Sequence, residues 1–173
     1  EWNPASYDGG AGEFFIRSPA RIIRSIMTGI ASIAGHEIAS ERLAAAIRSG
    51  SQEDERSCFS DTTHNDLVAN MEGLEAILFG KFISKSGKVV IDGKGMIDII
   101  ASADKEHADR MKAQFLTAKM HIEAIPTPFD QVIVAPADSE GRKNIDKAIA
   151  SLWEFVDSIS DAEEFMELNN RLQ

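Results

Sequence analysis

The sequence predicts an all-α protein, an up-and-down four-helix bundle with a short irregular or hairpin excursion near residues 84–95. Four long segments carry apolar residues three or four positions apart, which is the spacing of one face of an α-helix. No alternating, strand-like run of any length accompanies them. No proline occurs between Pro19 and Pro126, so long helices meet no interruption in that part of the chain.

The chain divides into an irregular lead-in, residues 1–17, and a helical bundle, residues 18–173. Three glycines close together mark the lead-in as non-helical. The first helix begins at Pro19, a residue favoured in the first turn because its missing N–H needs no partner there. It runs to about Ser49, and Gly50 suits its C-terminal end.

Isoleucines at steps of four, four and three mark the inner face of the first helix: Ile22, Ile26, Ile30 and Ile33. The same stepping next reaches Glu37, Glu41 and Ala44, so two carboxylates stand on the face that should be apolar. Carboxylates four residues apart converge on one point, which suits a hard metal ion or a basic ligand. The alternative is structural, with either carboxylate turned to solvent or paired with Arg42.

Capping residues, glycines and prolines bound the other predicted elements. In chain order these are a helix from Asp61–Thr63 to about Phe79, a short helix from Met96 to about Ala101, a long helix from Asp104 to about Ala124, a non-helical link over 126–138, a fourth long helix from Asp138 or Ser139, and a final short helix at about 161–171.

Charge and motif content exclude several classes of protein. Lys and Arg number 18 against 28 for Asp and Glu, a net charge of −10, which argues against a nucleic-acid partner because phosphate binding needs clustered cations. No run approaches the roughly 18 apolar residues of a membrane-spanning helix. The sequence contains no HExxH helix, P-loop or GxSxG elbow, so no catalytic residue is assigned.

A polar cluster surrounds His64 at the predicted start of the second helix. Asp61 precedes His64 by three residues, so on a helix its carboxylate stacks near the imidazole and can orient it. This makes the histidine a candidate metal ligand or proton carrier. The alternative is a hydrogen-bonded histidine with a purely structural role.

Four segments together resemble one known family: GHEIASERL (35–43), QEDERSCFSDTTHND (52–66), GLEAILFGKF (73–82) and PFDQVI (128–133). In order and spacing they are similar to the imelysin-like proteins, which include the iron-regulated protein A type and were first described as insulin-cleaving metallopeptidases. The similarity runs from about Phe14 to the fourth helix. The chain resembles the C-terminal one of the two helical bundles of that family.

The resemblance implies an exported protein of the periplasm or outer membrane of a Gram-negative bacterium, with its signal peptide removed and any lipid anchor outside this chain. It implies a part in iron acquisition and a partner, the N-terminal half of the same domain, which carries the proposed metal motif GxHxxE. Residues 73–78 have the glycine and frame of that motif, with Glu75 at the histidine position and Leu78 at the glutamate position. They resemble a duplicated copy that has lost its ligands.

The groove of the family, carried onto this sequence, implies ligand-binding roles for Glu37, Glu41, Arg42, Ser60, Asp61, Thr63 and His64. Glu37, Glu41 and His64 are the predicted ligands of a divalent metal or iron. Arg42 is their counter-ion or a clamp for the ligand. Three hypotheses remain: binding of a metal ion or small ligand in iron uptake, metallopeptidase activity that needs the N-terminal half, and a helical interaction module whose carboxylates only satisfy Arg and Lys.

Overall fold

The computed structural model describes residues 19–84, 86–87 and 89–171, except for the side chains of residues 89 and 166–171. The predicted lead-in over residues 1–17 lies outside this part of the chain. Within it the protein is a helical bundle with one small antiparallel hairpin, so the predicted all-α class and the predicted excursion are confirmed.

The first predicted helix is one continuous helix built from three pieces. Helix α1 spans Pro19–Ala31, a π-helical segment spans Ser32–Ala44, and α2 spans Ala45–Ser49. Gly50 ends the helix with a φ of 62°, a left-handed conformation that glycine adopts at little cost. Its N–H donates to the carbonyl of Ala46 at 3.0 Å.

The π-helical segment changes which residues of the first helix face the core. Its hydrogen bonds join residues five apart, as in the bond from Ala45 N–H to Ser40 O, so each turn contains more residues than an α-turn. The buried positions are therefore spaced more widely than α-helical stepping predicts: Met27, Ile30, Ala34, Gly35, Ile38, Ala39, Leu43 and Ala46. The predicted inner position Ile33 is exposed instead.

The elements that follow are a 3-10 turn at Gln52–Asp54, α3 at Thr63–Phe79, β1 at Lys81–Ile83, β2 at Val89–Asp92, α4 at Met96–Ala103, α5 at Lys105–Glu123, α6 at Phe129–Val134 and α7 at Glu140–Arg171. Helix α7 packs along both α5 and the first helix, while α3 and α4 pack on α5. Phe115 of α5 lies at the centre of the core, with its ring centroid 5.9 Å from that of Phe79 and 5.3 Å from that of Phe155.

Two predicted boundaries near the C-terminus are wrong. The link over 126–138 contains α6, because Pro128 sits just before the helix, where a missing N–H is harmless. Burial of Phe129, Val132 and Ile133 stabilises this short helix. The separate final helix at 161–171 does not exist, since α7 continues to Arg171 with no glycine or proline after Gly141 to end it.

The hairpin is attached to the bundle through a narrow neck of glycines. Strands β1 and β2 pair antiparallel, and the N–H of Gly93 donates to the carbonyl of Gly80 at 2.9 Å. Gly95, at the start of α4, lies against the backbone of Leu78 and Gly80. Its N–H donates to the carboxylate of Asp98 at 2.9 Å, which caps α4. Among the described helices, none combines the length and apolar character needed to cross a bilayer.

Gly95→Ala is expected to lower the free energy of unfolding by about 3 kcal/mol or more, as severe overpacking does. The new Cβ would collide with the carbonyl of Leu78 and lie 2.5 Å from the nitrogen of Gly80, and both are backbone atoms. Gly29→Ala is the control, because nothing lies within 4 Å of a Cβ there and alanine favours a helix interior by about 0.5–1 kcal/mol. Urea unfolding that ranks the two variants in the opposite order would contradict this account of the neck.

Candidate functional site

A polar cleft of about 390 Å³ lies between the π-helical segment, the loop after it and α3. It is lined by Arg42, Arg56, Asp66, Ala69 and Asn70. We call this site the polar cleft. Of its lining residues the sequence analysis assigned a binding role only to Arg42.

Arg42 is a charged residue of the polar cleft whose side chain is largely buried. Its side chain is only 11% exposed, and its Nε is buried without a hydrogen-bond partner. One terminal nitrogen lies 3.7 Å from a carboxylate oxygen of Glu37, which is too long for a strong charge-assisted hydrogen bond. Burial lowers the pKa of Arg42, repulsion from Arg56 lowers it further, and Glu37 and Asp66 act in the opposite direction.

Hydrogen bonds within the loop and the first turns of α3 hold the other wall of the cleft. The hydroxyl of Ser57 donates to the carboxylate of Asp66 at 2.5 Å, and the amide of Asn70 donates to the carbonyl of Asp66 at 2.5 Å. The backbone N–H of Ser57 donates to the hydroxyl of Thr63 at 3.1 Å. These bonds tie the loop to α3 and hold Arg56 at the mouth of the cleft.

The two predicted carboxylates of the first helix do not share an inward face. The side chain of Glu37 is 44% exposed and faces Arg42, whereas Glu41 is exposed. The expectation that both turn to the core is wrong because the π-helical segment places Ile38, Ala39 and Leu43 there instead. The structural alternative, a carboxylate paired with Arg42, describes Glu37.

The predicted residues at the start of α3 separate into buried and exposed ones. Thr63 is 1% exposed, and His64 is half-buried with its Nε2 lacking a hydrogen-bond partner. Ser60 and Asp61 lie on the surface, where the hydroxyl of Ser60 bonds that of Thr62 at 2.8 Å. Within the described residues no hydrogen bond or ion pair joins Asp61 to His64, so the predicted orienting contact is not formed.

The donors of the polar cleft suit an anion better than a bare metal ion. Two guanidinium groups line it, and the carboxylate of Asp66 already accepts a bond from Ser57. Across residues 19–171, wherever side chains are described, no group of three His, Cys, Asp or Glu could hold a metal ion. The ligand set Glu37, Glu41 and His64 stays a prediction.

Sequence reasoning missed Glu55, a buried carboxylate in the loop that leads to the cleft. It is 4% exposed and one of its oxygens has no hydrogen-bond partner. Burial raises the pKa of Glu55, the charges of Asp130 and Asp61 raise it further, and a hydrogen bond from Thr63 lowers it. Glu55 is the last residue of the acidic run 53–55, and Arg56 follows it. A run of charged residues in a loop normally indicates a solvated segment.

The sequence was compared with models of known protein families. A peptidase family described as Imelysin matches residues 1–159, which is nearly the whole chain. The chain belongs to the imelysin family. Among curated proteins, no sequence matches it.

A second cavity of about 710 Å³ contains the segment that resembles the metal motif of the imelysin family. It lies between α3, the hairpin and Lys119 of α5. Glu75, at the histidine position of the motif, forms an ion pair with Lys119. Leu78, at the glutamate position, is 1% exposed in the core. In this bundle the two positions thus make an ion pair and a core contact, and the loss of metal ligands from this segment stays a prediction.

Glu55→Gln is expected to stabilise the protein at neutral pH relative to wild type, by an amount that shrinks on acidification. Because the pKa of Glu55 is raised above 4.5 in the folded chain, the folded state binds this proton more tightly than the unfolded state does. The contribution of Glu55 to the free energy of unfolding thus falls as the pH rises from 4.5 through the raised pKa.

Urea unfolding of wild type and Glu55→Gln across this pH range measures the difference. The exposed neighbour Glu53 provides the control, because Glu53→Gln removes the same charge from the same loop. A difference between Glu55→Gln and wild type that stays constant from acidic to neutral pH would rule out the raised pKa.

Proposed function

We propose that this member of the imelysin family is an exported ligand-binding protein that holds a metal ion or a small ligand in the polar cleft as part of iron uptake. Its place of action is the periplasm or the outer membrane of a Gram-negative bacterium. The N-terminal half of the same family domain is the proposed partner that completes the groove. A lipid anchor outside this chain would attach the assembly to the membrane.

The observation that carries the proposal is the state of Arg42. Keeping an arginine side chain only 11% exposed is costly unless acceptors satisfy its charged group, yet its Nε has no partner and Glu37 lies 3.7 Å away. Arg56 repels it across the same cavity. A purely structural arginine would gain from closer acceptors. An arginine that binds a ligand needs donors left free for it.

Small-ligand binding has more support in the geometry than direct binding of a metal ion. Glu37 can accept from a ligand because it is half-exposed and only loosely paired. His64 offers an unpartnered Nε2, whereas Glu41 faces solvent. Binding of a metal ion would need the side chains of Glu37, Glu41 and His64 to converge. Binding of a small ligand would use Arg42 in its present position.

The test is calorimetric titration of the chain with Zn²⁺, Mn²⁺ and ferric citrate. We expect at least one probe to bind wild type: Glu37→Ala should weaken a bare metal ion and Arg42→Gln should weaken anionic ferric citrate, each by about tenfold, the effect of one charge-assisted hydrogen bond. Glu154→Ala, at an exposed position of α7, is the control for lost charge. Equal affinity in every variant, or no binding by any probe, would remove the proposal.

Metallopeptidase activity is the second candidate function, supported by the peptidase name of the family. Metal-assisted hydrolysis needs about three protein ligands, an open position and a general base. The described residues of this chain offer no such group, so the site would need the N-terminal half with its GxHxxE motif.

Digestion of an unstructured protein such as casein by the two halves together separates the candidates. Metallopeptidase activity predicts cleavage that a chelator abolishes and that Zn²⁺ restores. Cleavage that resists the chelator would exclude the metal mechanism, and absence of cleavage would leave binding as the function.

A further inference from the structure

We infer that the polar cleft recognises a small molecule through a single carboxylate group, held between the guanidinium groups of Arg42 and Arg56. This inference rests on the proposed binding function and names its ligand class. The carboxylate itself would occupy the cleft, and any iron would enter as part of such a ligand and not as a bare ion on protein carboxylates.

Charge balance in the cleft selects a singly charged anionic group. Two arginines line the cavity, against one carboxylate, that of Asp66. Asp66 is already engaged with Ser57, and the amide of Asn70 with the backbone of Asp66. Once Glu37 has turned from Arg42 to water, one further negative charge would balance the two cations. A doubly charged phosphate would leave an excess of negative charge beside Asp66 and Glu37.

The free donors match a carboxylate in shape. The two terminal nitrogens of an arginine lie in one plane and can donate hydrogen bonds to the two oxygens of a carboxylate. The Nε of Arg42 is buried, so the terminal nitrogens are the donors that face a ligand, and one of them has only the distant Glu37. Arg56 makes no ion pair within the part of the chain that the structure describes, so its donors are available from the solvent side.

The loose pair with Glu37 gives the cleft a resting partner that a ligand can replace. At 3.7 Å the pair offsets part of the charge of Arg42 without using its donors fully. Glu37 is half-exposed, so it can turn to water at little cost when a ligand carboxylate arrives. The cavity of about 390 Å³ is within the range of small-molecule sites, and its open side leaves room for the rest of the ligand.

The experiment compares succinate, which can place one of its two carboxylates in the cleft and leave the other in solvent, with the neutral succinamide, which has nearly the same size and shape. Calorimetry at low ionic strength is expected to detect succinate and not succinamide. Arg42→Gln and Arg56→Gln should each weaken succinate by about tenfold or more. Arg56 lies on the surface, so its variant tests the inference even if Arg42→Gln folds poorly.

Arg48→Gln is the matched control, because it removes the same charge from an exposed position at the end of the same helix. It should change succinate affinity by less than about twofold, since exposed charges at a distance are screened. Equal binding of succinate and succinamide, equal affinity in the Arg56→Gln variant, or tighter binding of inorganic phosphate than of succinate would each overturn the inference.

The outcomes also separate this inference from the function on which it rests. If Zn²⁺ or Mn²⁺ binds and is lost in Glu37→Ala while succinate does not bind, the carboxylate inference fails and the proposed binding function stands. If neither succinate nor any probe of the first titration binds, both fail.

Discussion

The hydrogen-bond register of the π-helical segment, residues 32–44, is the constraint on which the site depends. Bonds between residues five apart widen each turn, so Ile38, Ala39 and Leu43 all reach the core from successive turns. The same register leaves Glu37 and Arg42 at the edge facing α3. Tight α-helical turns over the same residues would rotate this set, moving the arginine relative to the cleft that it lines.

Packing against α7 stabilises this unusual register. Gly35 lies so close to α7 that a Cβ there would be 3.0 Å from the ring of Trp153 and 3.2 Å from Val156. The close approach lets the π-helical segment and α7 bury small residues such as Ala34 and Ala148 in one continuous core. Burial on this scale outweighs the poorer hydrogen-bond geometry of wide turns.

Sequence periodicity predicted the elements that follow α-helical spacing and failed where the spacing changes. Helices α3 and α5 lie where they were predicted because both are regular, and Leu67 and Phe115 belong to their buried faces. The extent of the first helix was predicted, but not which of its residues face the core. Its sequence has no obvious pattern that indicates π-helical hydrogen bonding. Helix α6 was not predicted because prolines flank it on both sides. Burial of Phe129 stabilises this helix.

The same distinction applies to the candidate site. Binding roles for Arg42 and Thr63 were predicted from the resemblance to the imelysin-like family, and Arg42 also stood beside the two carboxylates as their possible partner. Arg56 was not predicted, because the hydrogen bonds of Ser57 to Thr63 and Asp66 bring its loop to the cleft, and such contacts leave no periodic signal. Glu41 was assigned by extrapolating a stripe across a segment where the period is different.

The protein has a net charge of −10, so two arginines in one cleft differ from their acidic surroundings. On a basic protein the same two arginines would not be distinctive. The surplus of acidic side chains repels anions. At physiological ionic strength this repulsion is largely screened beyond about 8 Å. An anionic group is attracted only where cations are concentrated and partly removed from water, since their field is screened least there. Arg42 meets both conditions through its burial and through Arg56. The surplus of acidic groups thus weakens the attraction of an anion to most of the chain, whereas Arg42 and Arg56 give the polar cleft two cations that could donate hydrogen bonds to a carboxylate.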